Sequence, residues 1–271
     1  MIRHVFMISD GTGITAEHLG NSLLTQFENI TFIKETVPYI DTVEKAAECI
    51  LKINQCFDTT GEKPLIFLTL INPDICKAIQ QANACVFDLF NTFLQPLEDE
   101  LAAKSSYRVG KTHSVGNTTS YTKRMAAVEF ALGHDDGVKT RGYEQADIVL
   151  IGVSRCGKTP SCLYMALHFG VWAANYPFTD EDLINISLPE SLRPFKHKLF
   201  GLTISPERLH QIRQERRPNS DYASLHHCKS EVKHIEHLYK QENIPYLNST
   251  KFSIEEISTK ILSLAGIDRK F

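Results

Sequence analysis

The chain has 271 residues, 42% of them hydrophobic and 23% charged, which is enough apolar material for a packed core and excludes a disordered or fibrous protein. Lys and Arg number 29 against 32 Asp and Glu, and the resulting formal net charge of −3 supplies no global field for nucleic acid. The longest apolar run, Pro64 to Ile71, is less than half of the roughly 18 to 20 residues that cross a bilayer, so no membrane span is expected.

The opening run Arg3 to Ile8 is followed at once by Ser9 and Asp10, too soon for the apolar region of a signal peptide. The seven cysteines (49, 56, 76, 85, 156, 162 and 228) contain no CxxC pair, and an odd count suits reduced thiols in a cytoplasmic protein.

In chain order, Val5 to Ile8 reads as a strand, with a helix from about Thr15. Thr31 to Val37 is a strand, a helix starts near Thr42, and Leu65 to Ile71 is a third strand, a βαβαβ rhythm. Ala16, Leu19, Leu23 and Phe27 follow helical spacing and are expected to pack the first helix on a parallel sheet. The loop Asp10-Gly11-Thr12-Gly13-Ile-Thr-Ala16 has the outline of a dinucleotide fingerprint, with Glu35 about 20 positions on. A structural turn and an anion- or partner-contacting loop fit it as well.

Periodicity then weakens through Lys104-Ser-Ser, Gly110-Lys-Thr-His, Val115-Gly-Asn-Thr-Thr-Ser120 and His134-Asp135-Asp136-Gly137, a composition expected of a functional connection. A short helix over about Tyr121 to Leu132 interrupts it, with Met125, Val128 and Leu132 in register. The rhythm restarts with the strand Asp147 to Ile151, a helix ending near Phe169, a strand Lys198 to Ile204, a helix from about Pro206 to Arg217 and a late strand at Ile244 to Leu247. Ser253 and Glu256 form a capping box for the last helix, whose stripe is read as Ile254, Ile257, Ile261 and Leu264, ended by Gly266. The expectation is an α/β protein of two units, residues 1–103 and 104–271, the second a P-loop kinase-like parallel sheet flanked by helices.

Gly152, Val153, Ser154, Arg155, Cys156, Gly157, Lys158 and Thr159 match GxxxxGK[ST] between a buried strand and a helix, the context in which that motif binds nucleotide phosphates. The glycines let successive N–H groups face a polyphosphate, Lys158 reaches its terminal groups, and the Thr159 hydroxyl suits Mg²⁺. Pro160 fits the first helical turn. Asp135 and Asp136 suit metal binding or acceptance of a hydroxyl proton, although Asp and Gly also build plain turns. Arg208, Arg213, Arg216 and Arg217 crowd one helix, with Leu209 and Ile212 expected on its core side. They fit a phosphate or acidic partner, or, with Glu207 and Glu215, a solvated helix. His226, His227, Cys228, His234 and His237 lack zinc-ligand spacing and read as ordinary helix residues.

Together, the stretches Arg3 to Glu17, His134 to Gly137, Ile151 to Pro160, Ala173-Ala-Asn-Tyr-Pro177, Lys198 to Ile204 and Ile212-Arg-Gln-Glu-Arg-Arg-Pro218 resemble the phosphoenolpyruvate synthase regulatory proteins over nearly the whole chain. The resemblance implies a bifunctional cytoplasmic enzyme, a homodimer. It would use ADP to phosphorylate a threonine of pyruvate, water dikinase, and inorganic phosphate to remove that group as pyrophosphate. Regulators of pyruvate, phosphate dikinase share most of these stretches; Cys156 and the Arg3-His4 opening look closer to the synthase branch. Many relatives carry Asp where this chain has Ser205, which directs the search for metal ligand or base to Asp135 and Asp136, then to Asp180 and Asp10. A P-loop kinase of a small metabolite is the alternative from another class.

Overall fold

The computed structural model describes residues 1–106, 118–137, 140–179, 181–182 and 187–270, by backbone alone at 118–120 and 140. Asp180 and the stretches 110–113 and 115–117 lie outside these residues. The chain divides into two compact units, Met1–Ser114 and Val115–Phe271, and each holds one four-stranded, all-parallel sheet.

In the first unit, β1 (Ile2–Ser9), β2 (Thr31–Val37), β3 (Leu65–Thr69) and β4 (Cys85–Asp88) assemble in the order β2-β1-β3-β4. Side chains alternate across a strand, so a sheet covered on both faces needs continuous apolar runs rather than alternating ones. β1 and β3 supply them. Phe6, Ile8, Ile66 and Leu68 pack in one core with Ala46, Cys49 and Ile53 of α2 (Val43–Thr60) and Ile75 and Ile79 of α3 (Pro73–Ile79). Val5, Met7 and Phe67 pack in another with Ala16 and Leu24 of α1 (Ile14–Leu24) and Leu89 of α4 (Leu89–Leu101).

The packing stripe of α1 differs from the one the spacing predicts. Its buried positions are Ala16, Gly20 and Leu24, while Leu23 and Phe27 are exposed. Gly20 is the reason, since a Cβ there would stand 2.7 Å from the Met7 sulfur and 3.1 Å from the Phe67 ring. The helix therefore sits down on its smallest residue. Pro73 at the start of α3 follows Asn72, whose side chain caps the helix, a start signal that the periodicity analysis passed over.

In the second unit, β5 (Ile148–Gly152), β6 (Ala173–Pro177), β7 (Leu199–Thr203) and β8 (Tyr246–Asn248) run in the order β6-β5-β7-β8. The helices are α5 (Thr118–Gly133), α6 (Lys158–Phe169), α7 (Pro206–Arg216), α8 (Leu225–Gln241) and α9 (Ile254–Ala265). The buried side of α5 carries Ala127, Phe130 and Ala131, with Leu132 exposed, because the helix is rotated relative to the predicted register. Both bonds of the Ser253–Glu256 capping box are present, and Gly266 ends α9 in the left-handed conformation. Leu262, rather than the exposed Leu264, completes the α9 stripe with Ile257 and Ile261.

Among the described residues, no helix is long and apolar enough to cross a membrane. All seven cysteines are free thiols.

Tyr239 of α8 fixes the middle of the second sheet. Its fully buried ring lies against Gly201, and its hydroxyl faces the carbonyls of Ile151 (2.9 Å) and Leu202 (3.2 Å). A Cβ at Gly201 would lie 2.7 Å from that ring. Gly201→Ala is expected to lower stability by about 1–3 kcal/mol through overpacking, measured by denaturant unfolding; an unchanged midpoint would refute the clamp.

Candidate active site

The parallel strand β5 delivers the phosphate loop at its carboxyl end, where ligands bind in open α/β sheets. Gly152 begins the loop where nothing larger fits, as a Cβ would be 2.5 Å from the Leu202 carbonyl oxygen and 2.9 Å from the Cys156 sulfur. Arg155 and Gly157 take left-handed conformations (φ 77° and 98°), which coil the chain into a concave turn before α6.

The carbonyls of this turn are taken by donors around it. Lys158 Nζ donates to the carbonyls of Gly152 (2.9 Å) and Val153 (2.8 Å), Arg213 to Ser154 (3.1 Å) and Ser249 Oγ to Cys156 (2.9 Å). The amides of Ser154, Arg155 and Gly157 donate to no protein acceptor among the described residues. Lys158 is only 5% exposed, and no carboxylate among the described residues pairs with it. A buried ammonium bonded to neutral carbonyls alone is costly, and an anion at the loop would offset that cost.

Beside the loop, the turn His134 to Gly137 is fastened to β6 by Asn175. The Asn175 backbone N–H donates to the His134 carbonyl (3.2 Å), its backbone carbonyl accepts from Gly137 N–H (3.1 Å), and its side-chain oxygen accepts from Asp136 N–H (3.1 Å). Its side-chain amide donates to Asp135 Oδ1, which also accepts from the Thr159 hydroxyl at 2.8 Å. The result is a cavity of about 450 Å³ lined by Asp135, Asp136, Arg155, Lys158, Thr159 and Arg216, among others.

The carboxylate pair, the loop and one of the helix arginines thus meet in one place. Arg213 does not join them. It is fully buried one turn after Leu209, on the core side of α7, where Glu231 holds its guanidinium at 2.6 Å and the Tyr222 ring lies 4.0 Å from it. The expected phosphate contact is instead a strut behind the loop, because Arg213 shares the core face of the helix and Ile212 is only partly buried. Arg217 ends α7 and is absent from the cavity lining.

Sequence reasoning assigned no role to Asn175, which it marked only as part of the Ala173 to Pro177 stretch, and did not single out Tyr222 or Ser249. Tyr222 donates to the Ser154 hydroxyl at 3.0 Å. The signal available for Asn175 was a polar residue inside an otherwise apolar strand.

Ser205 caps α7 by accepting from Arg208 N–H (3.2 Å), so its serine is spent on the helix. Asp10 belongs to the other unit's glycine loop. There it accepts from Ile71 N–H at 2.8 Å, and burial raises its pKa against the lowering effect of that bond. Glu35, the would-be ribose ligand, pairs with Lys52. Burial also pushes the Cys156 thiol up, opposed by the charges of Lys158 and Arg213, so this cysteine is kept as a neutral thiol.

For a nucleotide with Mg²⁺, the donor set fits. Among the described residues no cluster of three His, Cys, Asp or Glu could hold a metal alone. Mg²⁺ in phosphoryl-transfer sites needs only one or two protein oxygens beside substrate phosphates and water, which Thr159 and Asp135 can offer.

A strand–loop–helix phosphate site flanked by two carboxylates defines a phosphotransferase-like α/β unit. The family model described as kinase/pyrophosphorylase matches residues 5–262, and the chain belongs to that family. A protein of Legionella pneumophila (strain Corby), named "Putative phosphoenolpyruvate synthase regulatory protein", is 66% identical over 270 residues, covering 100% of both chains. Proteins of the same name from Pseudomonas aeruginosa (strain LESB58) and Pseudomonas fluorescens (strain Pf0-1) are 57% and 56% identical, each over 271 residues, 100% of this chain and 99% and 100% of theirs.

Removing one member of the Arg213–Glu231 pair strands a buried charge. Arg213→Ala is expected to cost about 3–5 kcal/mol, whereas Arg213→Met with Glu231→Leu should cost less than the sum of the single changes. Denaturant unfolding of the four proteins checks this, and additive losses would refute the pair's coupling.

Proposed function

We propose that the chain is a bifunctional regulator of phosphoenolpyruvate synthase (pyruvate, water dikinase), transferring phosphate to a threonine of that enzyme from ADP and removing it with inorganic phosphate. The observation that carries the reading is the buried Lys158 ammonium without a carboxylate partner, in one cavity with Asp135, Asp136 and Thr159. The names of the relatives supply the target.

With ADP the β-phosphoryl group is terminal, so the loop amides and Lys158 hold the group that is transferred. The threonine oxygen attacks the β-phosphorus, the bond to the bridging oxygen breaks, and AMP leaves. Asp135 accepts from both Thr159 and Asn175, which suits it to the metal side of the site. Asp136 is exposed and receives the threonine proton. Mg²⁺, when bound, would neutralise charge on the phosphates.

In the opposite reaction an oxygen of inorganic phosphate attacks the phosphothreonine phosphorus, pyrophosphate forms, and the threonine oxygen takes back a proton. Both reactants are anions, and Arg155, Lys158 and Arg216 offset their repulsion.

Incubating the protein with ADP and purified dikinase should yield AMP and a dikinase heavier by one phosphoryl group. Lys158→Ala should abolish both directions without unfolding the protein, and Asp136→Asn should lower kcat by roughly 10²-fold or more with ADP affinity less affected. ATP-dependent phosphorylation of a small metabolite, with the dikinase unmodified, would overturn the assignment.

A further inference from the structure

A second concavity, of about 790 Å³, opens on the same sheet edge. Ile204, Ser205 and Pro206 enter it from the end of β7 and Asn248 from the end of β8, while α8 forms the facing wall. It therefore follows the carboxyl ends of the strands beyond the one that carries the phosphate loop. In a parallel sheet that edge is where ligands are met.

The wall is basic. Lys229, Lys233, His237 and Lys240 recur at helical spacing on one side of α8, whose other side buries Cys228, Ile235 and Tyr239. None of the three lysines has an ion-pair partner among the described residues. The single carboxylate of the lining, Glu236, is turned to the Thr203 hydroxyl at 2.8 Å and offsets only part of the charge of the three lysines. A net positive potential is thus left on this wall in a chain whose net charge is −3. The N-terminal end of α7, at Ser205 and Pro206, adds to it.

We propose that this groove docks an acidic, extended segment of a protein partner. Lys229 and Lys240 lie eleven residues apart, about 16 Å along the helix, which matches roughly five residues of extended chain. A single phosphate would meet one lysine or two, whereas a segment with carboxylates on alternate residues meets the whole row. The proposal rests on the reading that the substrate is itself a protein. Docking away from the reacting threonine would give that partner affinity without altering the chemistry at Lys158.

The test uses the full chain and a fluorescein-labelled decaglutamate peptide, read by anisotropy. Binding is expected, weakening as salt rises, and the triple variant Lys229→Gln, Lys233→Gln, Lys240→Gln should lose at least tenfold in affinity. These side chains are exposed, so its thermal melt and its ADP binding should match the parent. With dikinase as substrate, the variant should raise KM at unchanged kcat. Undiminished peptide binding by the triple variant overturns the proposal, as does displacement of the peptide by inorganic pyrophosphate at constant ionic strength, which would mark a phosphate site. A dikinase left unphosphorylated by the parent protein would sink the functional reading alone, because the peptide measurement needs no catalysis.

Discussion

A loop that binds an anion through its backbone must turn its carbonyls away from the ligand and still satisfy them. In the second unit this requirement recruits residues from α6, α7, α8 and the segment after β8. Tyr239 takes the carbonyl of Ile151, Lys158 those of Gly152 and Val153, Arg213 that of Ser154, and Ser249 that of Cys156. With those groups occupied, the amides are left for the cavity, and the cost of orienting them is met during folding rather than at the moment of reaction. Arg213 illustrates the economy of the arrangement: because Glu231 neutralises it, the residue contributes geometry to the loop and no net charge to the site.

The carboxylate side is built by the same logic from the neighbouring strand. Asp136 sits at φ 54°, a conformation that costs a non-glycine residue energy, so something must hold it there. Asn175 does so from β6, bonding the turn through its own backbone and through both ends of its side chain. Strain and its restraint therefore lie beside the phosphate loop, where Asp135 is brought onto the Thr159 hydroxyl. Strand β6 is thereby as much a part of the site as the loop itself.

The phosphate loop was legible because its chemistry is local: two glycines, a lysine and a hydroxyl at fixed spacing between a strand and a helix suffice. Strands β1, β3, β5 and β7 were legible for a similar reason, as burial on both faces writes continuous apolar runs into the sequence. What escaped was set by packing across distance. The rotation of α1 follows from the missing side chain at Gly20 against Met7 and Phe67, residues far from it in sequence. The inward turn of Arg213 depends on Glu231 and Tyr222, and no charge pattern on α7 alone distinguishes a buried arginine from the exposed ones around it. Asn175 stood in a stretch that carries the family resemblance, yet its role was hidden because its partners lie in a turn about 40 residues away.

The cavity's charge balance bears on how one site could serve opposing reactions. Three cationic side chains, Arg155, Lys158 and Arg216, line it against two carboxylates, Asp135 and Asp136. Asp135 already accepts two hydrogen bonds, which spread its charge and reduce its repulsion of a phosphate group. On the proposed reading, ADP in one direction and inorganic phosphate in the other would compete for the same loop amides and the same lysine. Occupancy of the loop would then choose the direction by mass action, so the protein could respond to the relative levels of the two anions without a separate sensing site. The structural requirement for that behaviour is a loop that recognises phosphate groups rather than a nucleoside, and a backbone cradle whose carbonyls at Gly152, Val153, Ser154 and Cys156 are engaged elsewhere meets it.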